Sequence, residues 1–162
     1  MFVYRSKDFF RNGLDDDVFQ LHSIAKRVKQ EVHRFQGFVR FQEAETSLMV
    51  AAIEPDHDIV GLLGTHFKNR FPGREWIIFD TRRRQGIWFD QKEIQLVVLD
   101  KGLPLDSNHS LKQHIRSDRE DQYRELWKCY YESVNIAQRV NKGQMLRMMP
   151  RRYWKYLPEK DN

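Results

Sequence analysis

The sequence runs to 162 residues, 40% of them hydrophobic, 31% charged and 13% aromatic, the size and balance of one soluble globular domain or a tight pair of subdomains. Twenty-eight Lys and Arg against 23 Asp and Glu leave a formal charge of +5, which favours a polyanionic partner without establishing one and excludes a histone-like tail. Cys129 is the only cysteine, so neither an internal disulfide nor a cysteine-based zinc knuckle can form; with no signal-peptide core and no bilayer-length apolar run, the expected setting is cytoplasmic and off the membrane.

Residues 1–16 show no clear period and read as a lead-in, the remnant of a longer N-terminal region, to a single domain over 17–162. Asp15, Asp16 and Asp17 precede Val18, Leu21, Ala25, Val28, Val32 and Phe35, whose alternating three- and four-residue spacing predicts an amphipathic helix. Asp17 is placed to cap it, with Gln20 completing a capping box, and Gly37 to end it. Phe38–Gln42 and Leu48–Ile53 read as strands joined through EAETS in a hairpin. In the first of these strands Val39 and Phe41 share one face and Arg40 lies on the other.

After EPDHD, the residues Ile59, Leu62, Leu63, His66, Phe67 and Arg70 recur at helical spacing until Phe71-Pro72-Gly73 stops them. The runs WIIFDT, GIWFD and IQLVVLD extend the antiparallel sheet to about five strands. Lys101 to Ser117 reads as a crossing loop on the surface, its histidines His109 and His114 solvated. From Asp118, the residues Tyr123, Trp127, Tyr130, Tyr131, Val134 and Ala137 set a largely aromatic face on a third helix. Pro150 and Pro158 should break the closing segment into short turns. Strand and helix do not alternate and no repeat is present, so the expected class is α+β, a mainly antiparallel sheet with helices packed on it.

Four groups of residues carry the chemical possibilities. Glu54, Asp56, His57 and Asp58 concentrate carboxylates and an imidazole where a strand meets a helix, a place from which acid–base groups or weak ligands for a divalent metal (Asp56, His57, Asp58) can converge. The structural reading is favoured, with Asp56 or Asp58 capping the helix and His57 bonding a backbone group. His33 and Arg34 close the first helix, where its negative end stabilises cations; Arg34 and Arg40 are equally suited to fork onto a phosphate. Arg82, Arg83 and Arg84 form a basic tip between strands, either a solvated turn or a phosphate contact. The stretch from Arg139 to Tyr156 is the strongest signal: Arg139, Lys142, Arg147, Arg151, Arg152 and Lys155 with no acidic residue, interleaved with Tyr153, Trp154 and Tyr156, cations for phosphates and rings for unpaired bases. Trp154 alone reads better as a core anchor. Cys129, inside the aromatic helix, is expected to be a buried inert thiol. Phosphate-loop, zinc-pair, nucleophile-elbow and dinucleotide fingerprints are all missing from the sequence.

At VHRFQGFVRF, IEPDHDIVGLL, HFKNRFPGREWIIFD, LWKCYYESVNI and MPRRYWKYLPE, the chain resembles a bacterial family of domains of unknown function associated with DNA metabolism or DNA repair, from about Asp17 to Glu159. Members of this kind sit beside a radical-SAM protein of DNA modification or repair, and a related domain is fused to uracil-DNA glycosylases. The resemblance implies DNA-associated work in company with such a partner, and marks His33, Arg34, Arg40, Glu54, His57, Asn141, Tyr153 and Trp154. Longer members carry about ninety further residues before the first helix, itself domain-sized. No water-activating Asp-Pro-Tyr and no His-Pro-Ser loop is present, so glycosylase chemistry is not implied.

The leading expectation is therefore a nucleic-acid-binding accessory domain with no resident cofactor. Two others compete: an acid–base or metal-assisted enzyme centred on Glu54 to Asp58, and an interaction module docking the radical-SAM neighbour through exposed aromatics.

Overall fold

The computed structural model describes residues 16–107, 110–134 and 142–160. Helix α1 spans Asp16–Phe38. Asp16 and Asp17 lie in its first turn, where carboxylates face the unpaired N–H groups and the positive end of the dipole, so Asp17 acts within the helix instead of capping it from outside. At the far end α1 runs through Gly37 to Phe38, and the Val39 N–H donates to the Phe35 carbonyl at 3.1 Å. The extra turn carries Phe35 and Phe38 onto the Tyr153 ring, with centroids 5.0 and 6.1 Å away; this packing overrides the extended preference of FVRF.

The first strand is consequently short. β1 is Gln42–Glu43, antiparallel to β2 (Met49–Ile53), and Arg40 sits in the turn between α1 and β1. Helix α2 (Val60–Arg70) follows, then β3 (Trp76–Asp80), β4 (Gln85–Phe89) and β5 (Ile94–Val98), in the sheet order β1-β2-β3-β4-β5. Three of the four pairings are antiparallel; β2 and β3 run parallel, from Met49 opposite Trp76 to Ile53 opposite Asp80. α2 returns the chain to the edge where β2 began, so β3 must start in the same direction.

Phe35, Ile53, Leu63, Phe67, Trp76, Ile78, Ile87 and Phe89 form the main core, each at most 2% exposed. At Gly86, a Cβ would come within 2.6 Å of the Ile78 carbonyl oxygen, so only glycine lets β4 lie this close to β3. A second cluster joins Ala44, Val50 and Leu111 with Leu48, Leu103, Leu105 and Ile115. The segment read as a surface crossing loop is thus anchored by its own buried residues, although His114 is exposed as expected; His109 lies outside the described residues.

Helix α3 (Asp118–Val134) and the short α4 (Lys142–Met148) precede two 3₁₀ turns, Arg151–Tyr156 and Pro158–Lys160, begun by the two prolines as predicted. Cys129 is exposed on α3, against the expectation of a buried thiol. The fold is α+β. No described helix is long and apolar enough to cross a membrane.

Candidate functional site

Parallel pairing sends the chain out of β2 and β3 at the same end of the sheet. The exit of β2 is Glu54-Pro55-Asp56-His57-Asp58 and that of β3 is Thr81-Arg82-Arg83-Arg84, so two segments with no sequence relation become neighbours. Crevices at the carboxyl ends of parallel strands are common ligand sites. Here Glu31 of α1 and the Arg151–Tyr156 turn close over that end.

Glu31 is only 4% exposed and organises the cluster. Its carboxylate accepts the backbone N–H groups of Asp56 (2.7 Å) and His57 (3.0 Å), the His57 ring at Nδ1 (2.6 Å) and the Tyr153 hydroxyl (3.1 Å). Burial alone would raise this carboxyl, but the bonds from Asp56, His57 and Tyr153 outweigh it and hold Glu31 below its ordinary value. An ionised carboxylate only accepts, so His57 donates from Nδ1 and turns Nε2 away from Glu31. The His57 side chain stays 34% exposed.

Tyr153 joins this carboxylate to the basic turn. Its hydroxyl accepts from Arg152 Nη2 at 2.8 Å, and Arg152 also pairs with Asp56. Burial, with the Glu31 charge nearby, pushes the Tyr153 phenol up to about 12, so it remains a hydrogen-bond donor throughout the neutral range.

Asp80, fully buried, shapes the β3–β4 turn. It accepts the backbone N–H of Arg82 (2.9 Å) and of Arg83 (3.1 Å) and the Arg83 guanidinium (2.6 Å). The same guanidinium reaches the carbonyls of Pro55 (3.1 Å) and Asp56 (2.6 Å), clamping one strand exit to the other. On the opposite flank Glu54 accepts Lys155 Nζ (2.7 Å) and the Tyr156 hydroxyl (3.0 Å), and Tyr156 is 3.0 Å from Thr81 Oγ1.

The structure therefore brings together Glu54, Asp56, His57, Arg83, Arg152, Tyr153 and Lys155. Asp58 lies at the margin, accepting from Gln85 Nε2 at 2.9 Å. The helix-capping role expected of Asp56 or Asp58 is not observed: Ile59 precedes α2 with no side-chain cap, and Glu31 takes the N–H groups of this segment. Asp56, His57 and Asp58 each face a different partner, and among the described residues no group of three or more His, Cys, Asp and Glu could hold a metal ion.

The other basic candidates are spread along the flanks. Arg82 and Arg84 are exposed, Arg84 at φ 55° with a bond to the Asp100 carbonyl. Arg151 is exposed above the Trp154 ring, and Arg147 is exposed on α4. Arg34 is half-buried and His33 exposed on α1. Trp154 donates to the Met149 carbonyl at 3.1 Å. Arg40 forks onto Glu159 at 2.7 Å, donates to the Gly37 carbonyl and lies 5.2 Å over the Trp127 ring; this bond, with one from Trp127, keeps the Glu159 carboxyl low against its burial. Arg139 and Asn141 lie outside the described residues.

Sequence reasoning missed Glu31 and Asp80. A signal existed for Glu31, which falls on the apolar stripe of Val28, Val32 and Phe35, where a carboxylate needs buried partners. Asp80 ends an apolar strand just before RRR, with no comparable mark. No similarity to a curated protein or to a solved structure was found. A family model matches residues 1–159, nearly the whole chain, and by that match the chain belongs to the DUF4130 family, a domain of unknown function.

Proposed function

We propose that this chain is an accessory domain of DNA metabolism or repair that holds a nucleic-acid strand, DNA first among them, along the basic rim at the carboxyl ends of β2 and β3. The observation that supports this reading is the convergence of the Arg82–Arg84 turn and the Arg151–Lys155 turn on the Glu54–Asp58 segment. Asp80, Asp56 and Glu54 neutralise Arg83, Arg152 and Lys155 from within, so phosphate contact falls chiefly to Arg82, Arg84 and Arg151. Tyr153, 2% exposed, orients Arg152 and does not stack on a base. Such a surface gives salt-sensitive binding with little sequence preference. In this reading the domain works in the cytoplasm and passes its strand to a partner enzyme, the radical-SAM protein implied by the family resemblance.

Fluorescence anisotropy of labelled single-stranded and duplex DNA across a salt series tests it. Arg82→Glu with Arg151→Glu should weaken binding at least tenfold and flatten the slope of log K against log salt by about 2. No binding of either form at low salt overturns the proposal.

A second reading, proton-transfer catalysis at the same end of the sheet, is favoured by the His57–Glu31 pair. A buried carboxylate that fixes the imidazole tautomer and leaves the other ring nitrogen outward is the arrangement a general base needs. Strand scission of labelled oligonucleotides, lost in His57→Gln while binding persists, would establish it; an intact oligonucleotide after prolonged incubation at enzyme excess would remove it.

A further inference from the structure

The face of α3 turned towards the sheet does not close down on it. Trp127 and Tyr130 recur at helical spacing with their rings 5.8 Å apart, yet they remain 38% and 57% exposed. Across from them lie the Val39–Phe41 turn and the end of α2, with Phe41 packed edge-on against Phe67 and Phe71 at 5.4 and 5.6 Å. Between these walls is a groove of about 860 Å³, within the range of sites for small organic ligands.

Its charge narrows the ligand. Arg40, Arg70, Arg74, Arg119 and Arg124 line the groove with two carboxylates, Glu43 and Glu120, and Arg40 is held by a third, Glu159. Glu43 is paired with Arg74. Glu120 is 6% exposed and receives the Glu43 N–H at 2.8 Å. An aromatic wall beneath an excess of arginines suits a ligand that is flat at one end and anionic at the other. An apolar peptide or acyl chain would have no use for the guanidinium groups. A smaller cleft, sharing Arg40, Phe41, Glu120, Arg124 and Pro158 with the groove, reaches Lys155 and Tyr156, so the groove adjoins the polar cluster on β2 and β3.

We infer that this groove binds a nucleoside phosphate, its base against Trp127 and its phosphate on the arginine rim at Arg70 and Arg119. The inference deepens the nucleic-acid reading and rests on it for the biological source of the ligand, one nucleotide unit of a strand. The base contact supplies sequence-tolerant affinity, since every base presents a π-face.

Calorimetric titration with 5′-dAMP, with deoxyribose 5-phosphate and adenosine alongside, tests the groove directly. Saturable dAMP binding is expected, weakened at least about fivefold by Trp127→Ala, the lower end of the stacking contribution of one base, and weakened likewise by Arg119→Glu. Arg119 is exposed, so its reversal leaves the fold intact even if loss of the Trp127–Glu159 bond loosens α3. Each half-ligand should bind more weakly than dAMP. Single-stranded DNA binding without dAMP binding would overturn the groove and leave the strand-binding surface standing. Binding of dAMP without DNA binding would support the groove and overturn the strand as its source. Binding of dAMP that neither variant weakens would place the nucleotide elsewhere and overturn the inference.

Discussion

Glu31 and His57 stand 26 positions apart and meet with His57 Nδ1 2.6 Å from Glu31 Oε2. Because Glu31 also takes two backbone N–H groups and the Tyr153 hydroxyl, one buried carboxylate fixes the segment after β2, the imidazole tautomer and the basic turn together.

Glu31→Gln should be the most damaging single exchange in the site, since it turns an amide N–H₂ towards groups that are all donors. A loss of about 2–4 kcal/mol is expected, read from urea unfolding at pH 7. The Glu31 carboxyl lies below its ordinary 4.5 in the fold. Its stabilising contribution is therefore present above about that pH and lost as pH falls through the lower folded value. Glu159 shifts in the same direction, so Glu31→Gln should reduce the acid sensitivity of unfolding without abolishing it.

Glu120→Gln should behave in the opposite way. Burial pushes this carboxyl up, against the lowering effect of the Glu43 N–H and of Arg124 and Arg116. The fold therefore favours its protonated form, and that contribution fades as pH rises through the raised value. Glutamine keeps an oxygen for the Glu43 N–H and removes the buried charge, so stability at pH 7 should hold or rise by up to about 1 kcal/mol. A clear loss in thermal unfolding would mean that the arginine attraction dominates.

Tyr153→Phe separates packing from polarity. The ring keeps its contact with Phe35, but the donor to Glu31 and the acceptor for Arg152 are gone. A cost of about 1–2 kcal/mol is expected, with the near-ultraviolet circular dichroism of the core unchanged. A cost below about 0.5 kcal/mol would show that the hydroxyl is dispensable to the network.

Two glycines should respond with opposite signs. Gly86→Ala places a methyl group 2.6 Å from the Ile78 carbonyl oxygen and 3.1 Å from Phe79 Cα, backbone that cannot yield without opening the β3–β4 pairing, at a cost of about 1–3 kcal/mol. Gly61→Ala, with nothing within 4 Å of the new atom, should stabilise α2 by about 0.5 kcal/mol. Chemical unfolding of both variants checks the pair.

Local pattern in the sequence was enough to read α2, β2 to β5 and the start of α3, because each shows either a helical period or a compact apolar run bounded by turn residues. Where distant residues decide, it was not. FVRF has a strand's composition, yet Phe38 stays helical because Tyr153 waits beside it. The parallel register of β2 and β3 depends on where α2 delivers the chain. Every sequence motif in the site could be named, EPDHD, RRR and RRYWKY alike, but their meeting depended on Glu31 and Asp80, two carboxylates embedded in apolar runs and silent until the fold surrounds them.

The hydrogen bond from Tyr153 to Glu31 spans 122 residues. At ribosomal speeds of about 5–20 residues per second, roughly ten seconds separate the synthesis of its two ends. The sheet can form in that interval while Glu31 still lacks its last donor and Asp56 its arginine. A nascent or clipped chain ending before Arg151 would thus lack both the Tyr153 donor to Glu31 and the Arg152 partner of Asp56.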